Sequence, residues 1–324
     1  MEEAIVPPGL EARTQAVKAL LAERCQVQGI FLRGSHARGD ALPFSDFDLV
    51  ALVDRMPLFT SHPGLKIIQY SSAVDEARIL ENPVRPLDFR DSRILFDPHG
   101  LLEELKRKCI AELQYPKRVG QRSRKLLTSA QGYLSCMQAC SLEDSLPNVT
   151  GLILEAVRAI LIYHSITPSG RRLLFQLSLI NTPAIREIKE LIAMVLGVKA
   201  MAPASAETFF ANVMHVIEQD TGIDYTNNYG RFLTSERLYY WQEGFEYLIA
   251  LDTTAACWVS FSVLVNYHQY CSRYAAGNPL SGQTGHSLFA GLNGYTFYDL
   301  RKDAAVLLLD RVEQCTPLEQ GSKI

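Results

Sequence analysis

The sequence predicts an α+β protein, in which a small mixed β-sheet with helices is followed by an all-α helical bundle. Apolar, β-branched runs of strand length occur in the first hundred residues. After Pro98 these runs give way to long segments whose apolar residues recur at helical spacing. The length of 324 residues exceeds the usual size of one domain, so we expect two separate cores.

The first hundred residues begin with a helix and continue as strands. From Leu10 to about Cys25 the apolar residues Val17, Leu20 and Leu21 recur at helical spacing, which predicts an amphipathic helix. Strand patterns follow at 27–35, 47–54 and 65–71, and the segment 84–97 is predicted to form two further strands around a turn at Asp91 and Ser92.

The rest of the chain is predicted to be helical, with turn-forming residues between the helices. We therefore place a first domain at 1–114 and a helical domain at 115–324. The segments with helical periodicity are 101–113, 116–140, 149–165, 172–198, 205–219, 233–251, 253–275 and 297–314.

Composition and charge exclude several classes of protein. The apolar fraction of 48% and the charged fraction of 21% are typical of a globular protein. A net charge of -3 lacks the basic excess of proteins that bind nucleic acid chiefly through phosphates. Seven scattered cysteines without a CxxC pair argue against a disulfide framework or zinc ribbon. No signal peptide is visible and no apolar run reaches the roughly 20 residues of a membrane span, so we expect a cytoplasmic protein without a membrane partner.

The most informative stretch is GSHARGDALPFSDFDLVALVD, from Gly34 to Asp54. A strand delivers Gly34 and Ser35 to a loop, and Asp46 and Asp48 stand at the start of the next strand. Because side chains alternate along a strand, both carboxylates point to the same face. Adjacent carboxylates repel each other unless a cation lies between them, and Mg²⁺ prefers such oxygen ligands. The pattern therefore predicts a Mg²⁺ site at Asp46 and Asp48.

Gly34 and Ser35 are placed to hold a phosphate. The glycine lets the backbone approach a phosphate closely, and the serine hydroxyl and loop amides donate hydrogen bonds to it. Two metal ions at the carboxylate pair would clamp the α-phosphate, ease deprotonation of the attacking hydroxyl and neutralise the departing pyrophosphate. This chemistry is nucleotidyl transfer from an NTP by in-line displacement.

These residues resemble the signature of the polymerase-β-like nucleotidyltransferase superfamily, over about residues 10–100. Gly34-Ser35, Arg38 and the run SDFDL that begins at Ser45 are similar to its GS...SDxDL motif. The resemblance implies that Gly34, Ser35, Arg38 and Ser45 bind the NTP. It leaves the acceptor open, because the superfamily includes antibiotic adenylyltransferases, tRNA-end nucleotidyltransferases, toxins, protein-modifying enzymes and second-messenger synthases.

The superfamily usually supplies a third metal-binding carboxylate from a neighbouring strand, and the resemblance implies Asp88 for this role. We expect Asp91 to be a turn residue instead, and Asp97 to close the strand. Pro86, two residues before Asp88, indicates an edge or bulged strand.

The segment 151–174 is similar to the helical domain of aminoglycoside-type nucleotidyltransferases, in which a helix glutamate is the general base for the acceptor hydroxyl. The resemblance implies Glu155 for that position. Burial in an otherwise apolar helix would make its carboxylate a stronger base. Arg158 lies one helical turn further on, so an ion pair that braces two helices is the alternative role of Glu155.

Two basic groups and one aromatic stretch have open roles. Arg171 and Arg172 are candidates either for binding triphosphate or acceptor, or for a solvated helix N-terminus. The aromatic residues of 225–247 suit either base stacking or core packing. One dense basic run is a candidate either for steering phosphates or for a solvated helix face; its residues are Lys117, Arg118, Arg122, Arg124 and Lys125.

We therefore predict a Mg²⁺-dependent nucleotidyltransferase that uses an NTP as co-substrate. It would transfer an NMP to a hydroxyl of a small-molecule acceptor, antibiotic-like or a metabolite, and release pyrophosphate. The alternatives are transfer to a tRNA end or a protein side chain, and a catalytically silent nucleotide-binding protein. A homodimer that builds a shared site also fits the sequence. The acidity of the chain favours a small or cationic acceptor over RNA.

Overall fold

The structure is a computed structural model of the chain, and its described residues fall into two compact units. The first unit comprises residues 10–122 and 162–169, and the second comprises 123–161 and 170–317. Within these limits the described ranges are 10–22, 25–41, 45, 47–54, 65–70, 73–140, 142–170, 172–199, 201–220, 223–225, 230–274 and 298–317.

The first unit contains a four-stranded mixed sheet. Its strands are β1 Val27–Arg33, β2 Asp48–Val53, β3 Leu65–Gln69 and β4 Arg93–Phe96, and their order across the sheet is β3-β2-β1-β4. β1 pairs antiparallel with β2 and with β4, whereas β2 and β3 are parallel. The predicted α+β class with a small mixed sheet is confirmed.

Each face of this sheet is covered by helices, because the side chains of β1 and β2 are apolar on both faces. Helix α1 Leu10–Ala22 packs on the face that carries Ile30 and Leu32. The opposite face carries Phe31 and joins a core with residues of three later helices. The helices of this unit that follow β1 are α2 Gly34–Arg38, α3 Ala73–Glu81, α4 Arg85–Arg90 and α5 Leu101–Leu113.

Of the two strands predicted over 84–97, only the second forms. Residues 93–96 form β4, but 85–90 form helix α4. The Asn82 side chain accepts hydrogen bonds from the backbone amides of Val84 and Arg85, at 3.0 Å each, and so starts a turn. Pro86 lies in the first turn of the helix, where its fixed φ and missing N–H are tolerated. This proline therefore marks a helix start and not an edge strand.

The remaining elements are helical, as predicted. The segment 172–198 forms two helices and not one, because the Thr182 side chain caps the second helix at the amide of Ile185 and Pro183 begins it. The helices that follow α5 are α6 Pro116–Ala139, α7 Leu142–Tyr163, α8 Leu173–Ser178, α9 Pro183–Leu196, α10 Pro203–Gln219, α11 Ser235–Ile249, α12 Thr253–Tyr274 and α13 Tyr298–Cys315.

One segment of α7 is long and apolar enough to cross a membrane by length and composition. Among the described residues this is Ser145–Tyr163, and 67% of it is buried inside the protein. A core helix of a globular protein has the same length and composition. The segment is therefore weak evidence for a membrane span.

Candidate active site

The turn that ends β1 leaves a space beside its backbone that a carboxylate fills. Gly34 has φ +76°, in the left-handed region that favours glycine. A Cβ atom at this residue would lie 2.7 Å from Oδ2 of Asp48. Two separate constraints thus require glycine at position 34: the backbone conformation and the space that Asp48 fills.

Asp48 begins β2 and lies opposite Arg33 in the strand register. Its side chain shares a face of the sheet with Val50 and Leu52, because residues two apart in a strand point the same way. Asp46, predicted to share that face, lies outside the described residues. The predicted carboxylate pair is therefore described at Asp48 alone.

The short helix α2 follows Gly34 without a break. Ser35 is partly buried, and its carbonyl oxygen accepts hydrogen bonds from the amides of Gly39 and Asp40, which close the turn. The guanidinium of Arg38 forms an ion pair with Asp40, with 3.3 Å between Nη2 and Oδ1. Gly34, Ser35 and Arg38 thus lie on one short helix, which takes the place of the predicted loop, and Arg38 is held by Asp40, two residues further on. Their role in binding the NTP stays a prediction.

His36 fixes the segment that leads into β2. Its Nε2 donates a hydrogen bond to the carbonyl oxygen of Ser45 over 2.9 Å, since a carbonyl can only accept. The His36 ring stacks on the ring of Phe47, with centroids 4.0 Å apart. The Arg13 guanidinium lies 4.7 Å from the centroid of the Phe47 ring. These contacts hold Ser45 and Phe47, the residues on either side of Asp46, beside α2.

Asp88 comes from helix α4 and not from a strand. The expectation that a neighbouring strand carries it is therefore wrong. The turn at Asn82 and the helix start at Pro86 place this segment in α4. Its Oδ2 accepts a hydrogen bond from Nη1 of Arg33 over 3.1 Å. The role of Asp88 as a third metal ligand stays a prediction.

Arg33 lies beside these residues and was not among the predicted site residues. It ends β1, immediately before Gly34, and it lies between Asp48, its register partner, and Asp88, its ion-pair partner. A charged residue at the end of an otherwise apolar strand, directly before a glycine turn, is the signal that would have identified it.

Asp91 occupies the turn after α4, as predicted. Its carboxylate forms an ion pair with Arg90, at 2.6 Å, and accepts a hydrogen bond from the Thr167 hydroxyl. Arg90 also donates to the carbonyl oxygen of Ser165 over 3.0 Å. Within the first unit, the pair Arg90 and Asp91 thus ties the segment 162–169 to the end of α4.

In the helical unit, Glu155 and Arg158 form an ion pair, with 2.9 Å between Oε1 and Nη1. The side chain of Glu155 is 13% exposed. The ion pair that was the alternative role of Glu155 therefore exists. It leaves the general-base role as a prediction. Arg171 lies outside the described residues, and Arg172 precedes α8.

Much of the predicted basic run is used in internal contacts. Arg122 is buried and donates to the carbonyl oxygens of Leu80 and Asn82 and to Glu112. Arg118 also forms an ion pair with Glu112, and Arg124 forms one with Glu313. Three of the five basic side chains are thus neutralised within their own unit.

One described side chain beside Gly34 is of the type that binds a divalent cation. Carboxylate oxygen is the ligand that Mg²⁺ prefers, and the Oδ2 of Asp48 lies at the space that glycine leaves open. Among the described residues, no group of three or more His, Cys, Asp or Glu could hold a metal ion. Asp46, the second acid of the pair, stands outside that set.

One comparison with known proteins finds a match, and it lies within the first unit. Residues 15–111 match the family model of the nucleotidyltransferase domain, which covers β1, α2, β2 and the elements up to α5. No curated protein matches the chain. The chain thus carries a nucleotidyltransferase domain at residues 15–111, and such a domain implies nucleotidyl transfer with an NTP as substrate.

Proposed function

We propose that this protein is a Mg²⁺-dependent nucleotidyltransferase that moves an NMP from an NTP to a hydroxyl of a small-molecule acceptor. The single observation that carries the proposal is the close approach of the Asp48 carboxylate to the Cβ position of Gly34. It lies inside the matched domain and joins a metal-binding carboxylate to a glycine turn that a phosphate can approach.

The residues of the turn divide the work of binding. Asp46 and Asp48 would hold the metal, and two ions fit the family's chemistry. When bound, Mg²⁺ supplies positive charge against the α-phosphate and the departing pyrophosphate. The backbone of Gly34 and the hydroxyls of Ser35 and Ser45 orient the triphosphate.

Arg38 is a further candidate for binding the triphosphate. Its side chain is 14% exposed and is held by Asp40, so its direction is set before a nucleotide arrives. A pre-oriented guanidinium binds phosphate with less loss of side-chain entropy than a free one.

The transfer itself is a displacement at the α-phosphorus. The acceptor oxygen forms a bond to this atom, and the bond from the same atom to the bridging oxygen breaks, so that pyrophosphate leaves. The proton of the acceptor hydroxyl goes to a general base, for which Glu155 is our candidate. Its carboxylate is 13% exposed and forms an ion pair with Arg158, so its direction is fixed.

The charges of the protein support a small acceptor in preference to a polynucleotide. The chain has a net charge of -3, and Arg118, Arg122 and Arg124 are paired with glutamates of their own units. A polynucleotide acceptor would need free cations along its phosphates. The test is designed to detect three other outcomes: transfer to a tRNA end, transfer to a protein side chain, and no transfer at all. The third is included because the domain family also has inactive members.

The test is a transfer screen with each of the four NTPs, labelled at the α-phosphorus. Wild-type protein with Mg²⁺ is incubated with aminoglycoside-like and other hydroxylated small molecules, with tRNA and with protein, and the product mass is measured. We expect label on a small molecule and release of pyrophosphate, both abolished in Asp48→Asn. Label on tRNA, with a steep dependence on salt, or on protein would overturn the acceptor class. No label in any mixture would overturn the activity.

A further inference from the structure

Arg33 is more exposed than the three residues that precede it in β1. Ile30, Phe31 and Leu32 before it are buried in the sheet, whereas the Arg33 side chain is 28% exposed. Its register partner across the strands is Asp48, so both side chains lie on the same face of the sheet. The next residue is Gly34, where the backbone turns. Arg33 therefore lies next to the glycine turn in the chain and opposite Asp48 in the sheet.

Asp88 holds this guanidinium from one side. Its Oδ2 lies 3.1 Å from Nη1 of Arg33, and its side chain is 19% exposed. Helix α4, which carries Asp88, is fixed on the sheet by the buried residues Leu87 and Phe89. The Phe89 ring packs on that of Phe31, with centroids 4.8 Å apart. Asp88 thus lies on a helix that is packed on the sheet, and it orients the Arg33 guanidinium.

This pairing conflicts with a metal at Asp88. A guanidinium and Mg²⁺ that share one carboxylate would stand a few ångströms apart and repel each other. The Nε of Arg33 is buried and, among the described residues, has no hydrogen-bond partner. The pairing with Asp88 therefore leaves part of the hydrogen-bonding capacity of the guanidinium unused.

We propose that Arg33 binds the β- and γ-phosphates of the NTP, and that Asp88 is a positioning residue for Arg33 and not a metal ligand. This inference rests on the proposed nucleotidyl transfer. The forked guanidinium matches phosphate oxygens, and it lies beside the turn at which the triphosphate is bound. Asp46 and Asp48 then carry the metal, and Arg33 neutralises the charge that gathers on the departing pyrophosphate.

The test compares the affinities of wild-type protein and variants for a non-hydrolysable NTP and for the corresponding NMP, by calorimetry in Mg²⁺. Arg33→Gln is expected to weaken NTP binding by about tenfold or more, as loss of charged hydrogen bonds does, and to change NMP binding by less than about twofold. Arg33→Lys keeps the charge without the fork and should fall between. Arg78→Gln, at an arginine that is 76% exposed in the same unit, is the matched control for loss of one positive charge.

Asp88→Asn separates positioning from metal binding. We expect it to weaken NTP binding in the same sense as Arg33→Gln, and to add nothing in the double variant, because both act through one guanidinium. Mn²⁺ affinity without nucleotide should not fall in Asp88→Asn. A loss of Mn²⁺ affinity in Asp88→Asn, in either Arg33 background, would make Asp88 a ligand and overturn the proposal. Equal loss of NTP and NMP affinity in Arg33→Gln would also overturn it.

The outcomes distinguish this proposal from the proposed function. Wild-type protein that neither binds nor transfers any NTP contradicts both. Wild-type protein that transfers label, with Arg33→Gln unchanged in NTP affinity, contradicts only the assignment of Arg33.

Discussion

The carboxylate of Asp48 fills the space in which a side chain of residue 34 would lie. A Cβ on Gly34 would be 2.7 Å from Oδ2 of Asp48. A real Cβ atom does not come so close to an oxygen, so one of the two groups would have to move. The position of Asp48 therefore depends on the absence of a side chain at Gly34.

Gly34→Ala should displace Asp48 and reduce transfer by at least about tenfold, measured as kcat/KM for the NTP. The substitution also strains the backbone, at a cost on the order of 1–3 kcal/mol. Gly39→Ala is the matched control, because Gly39 has φ +78° but no described atom within 4 Å of its Cβ position. Equal losses of activity in the two variants would show that strain alone is responsible and that the contact with Asp48 is irrelevant.

Glu155→Gln should lower kcat by about 10²-fold or more, since the acceptor hydroxyl would lose its base. The control is Arg158→Met, which removes the ion pair and keeps the acid. We expect this variant to retain most of its turnover. If both variants lose stability by similar amounts in urea unfolding while kcat is unchanged in both, Glu155 is a structural residue only.

Gly197→Ala should destabilise the helical unit by about 2 kcal/mol or more, as judged by urea unfolding. Gly197 follows α9 with φ +75°, and a Cβ at this residue would overlap sterically with the guanidinium of Arg301, which is 4% exposed. Gly100→Ala, with φ +69° and no described atom within 4 Å of the Cβ position, measures the strain alone. A Gly197 penalty no larger than that at Gly100 would rule out steric pressure from Arg301.

Cysteine reactivity offers a test of the two cores. Burial raises the pKa of the Cys109 and Cys257 thiols to about 12, whereas Cys136 is exposed. At pH 8 the first two stay protonated and covered, so iodoacetamide should alkylate Cys136 and spare Cys109 and Cys257 in the native protein. Peptide masses after a denatured control, in which all three react, check this. Native labelling of Cys109 at the rate of Cys136 would contradict the described core around α5.

The strands and helices were predictable where hydrophobic periodicity is strong. The runs 27–35, 47–54 and 65–71 contain β1, β2 and β3, and most helical segments after residue 98 have helices close to the predicted bounds. The exceptions are α7, which begins at Leu142 and not at 149, and the segment 172–198, which forms two helices. The first half of the segment 84–97 resembles a strand in sequence, because the apolar residues Leu87 and Phe89 have the spacing of a strand. The turn at Asn82 and the helix start at Pro86 decided in favour of α4 instead.

The site was predictable as far as its motif extends. The glycine turn and Asp48 follow from spacing, because strand alternation and φ preferences are local properties. Arg33 and its link to Asp88 could not be derived, because the two are 55 residues apart in sequence and meet only when α4 packs on the sheet. Long-range ion pairs of this kind leave no periodic signal in one sequence.

The most direct test of the account is Mn²⁺ binding followed by electron paramagnetic resonance, with a non-hydrolysable NTP present. The account predicts that wild-type protein binds Mn²⁺ together with the nucleotide, and that Asp46→Asn and Asp48→Asn each lose this binding while their unfolding free energies stay close to that of wild type. Wild-type affinity for Mn²⁺ in both variants would contradict the claim that these two carboxylates share a divalent cation beside Gly34.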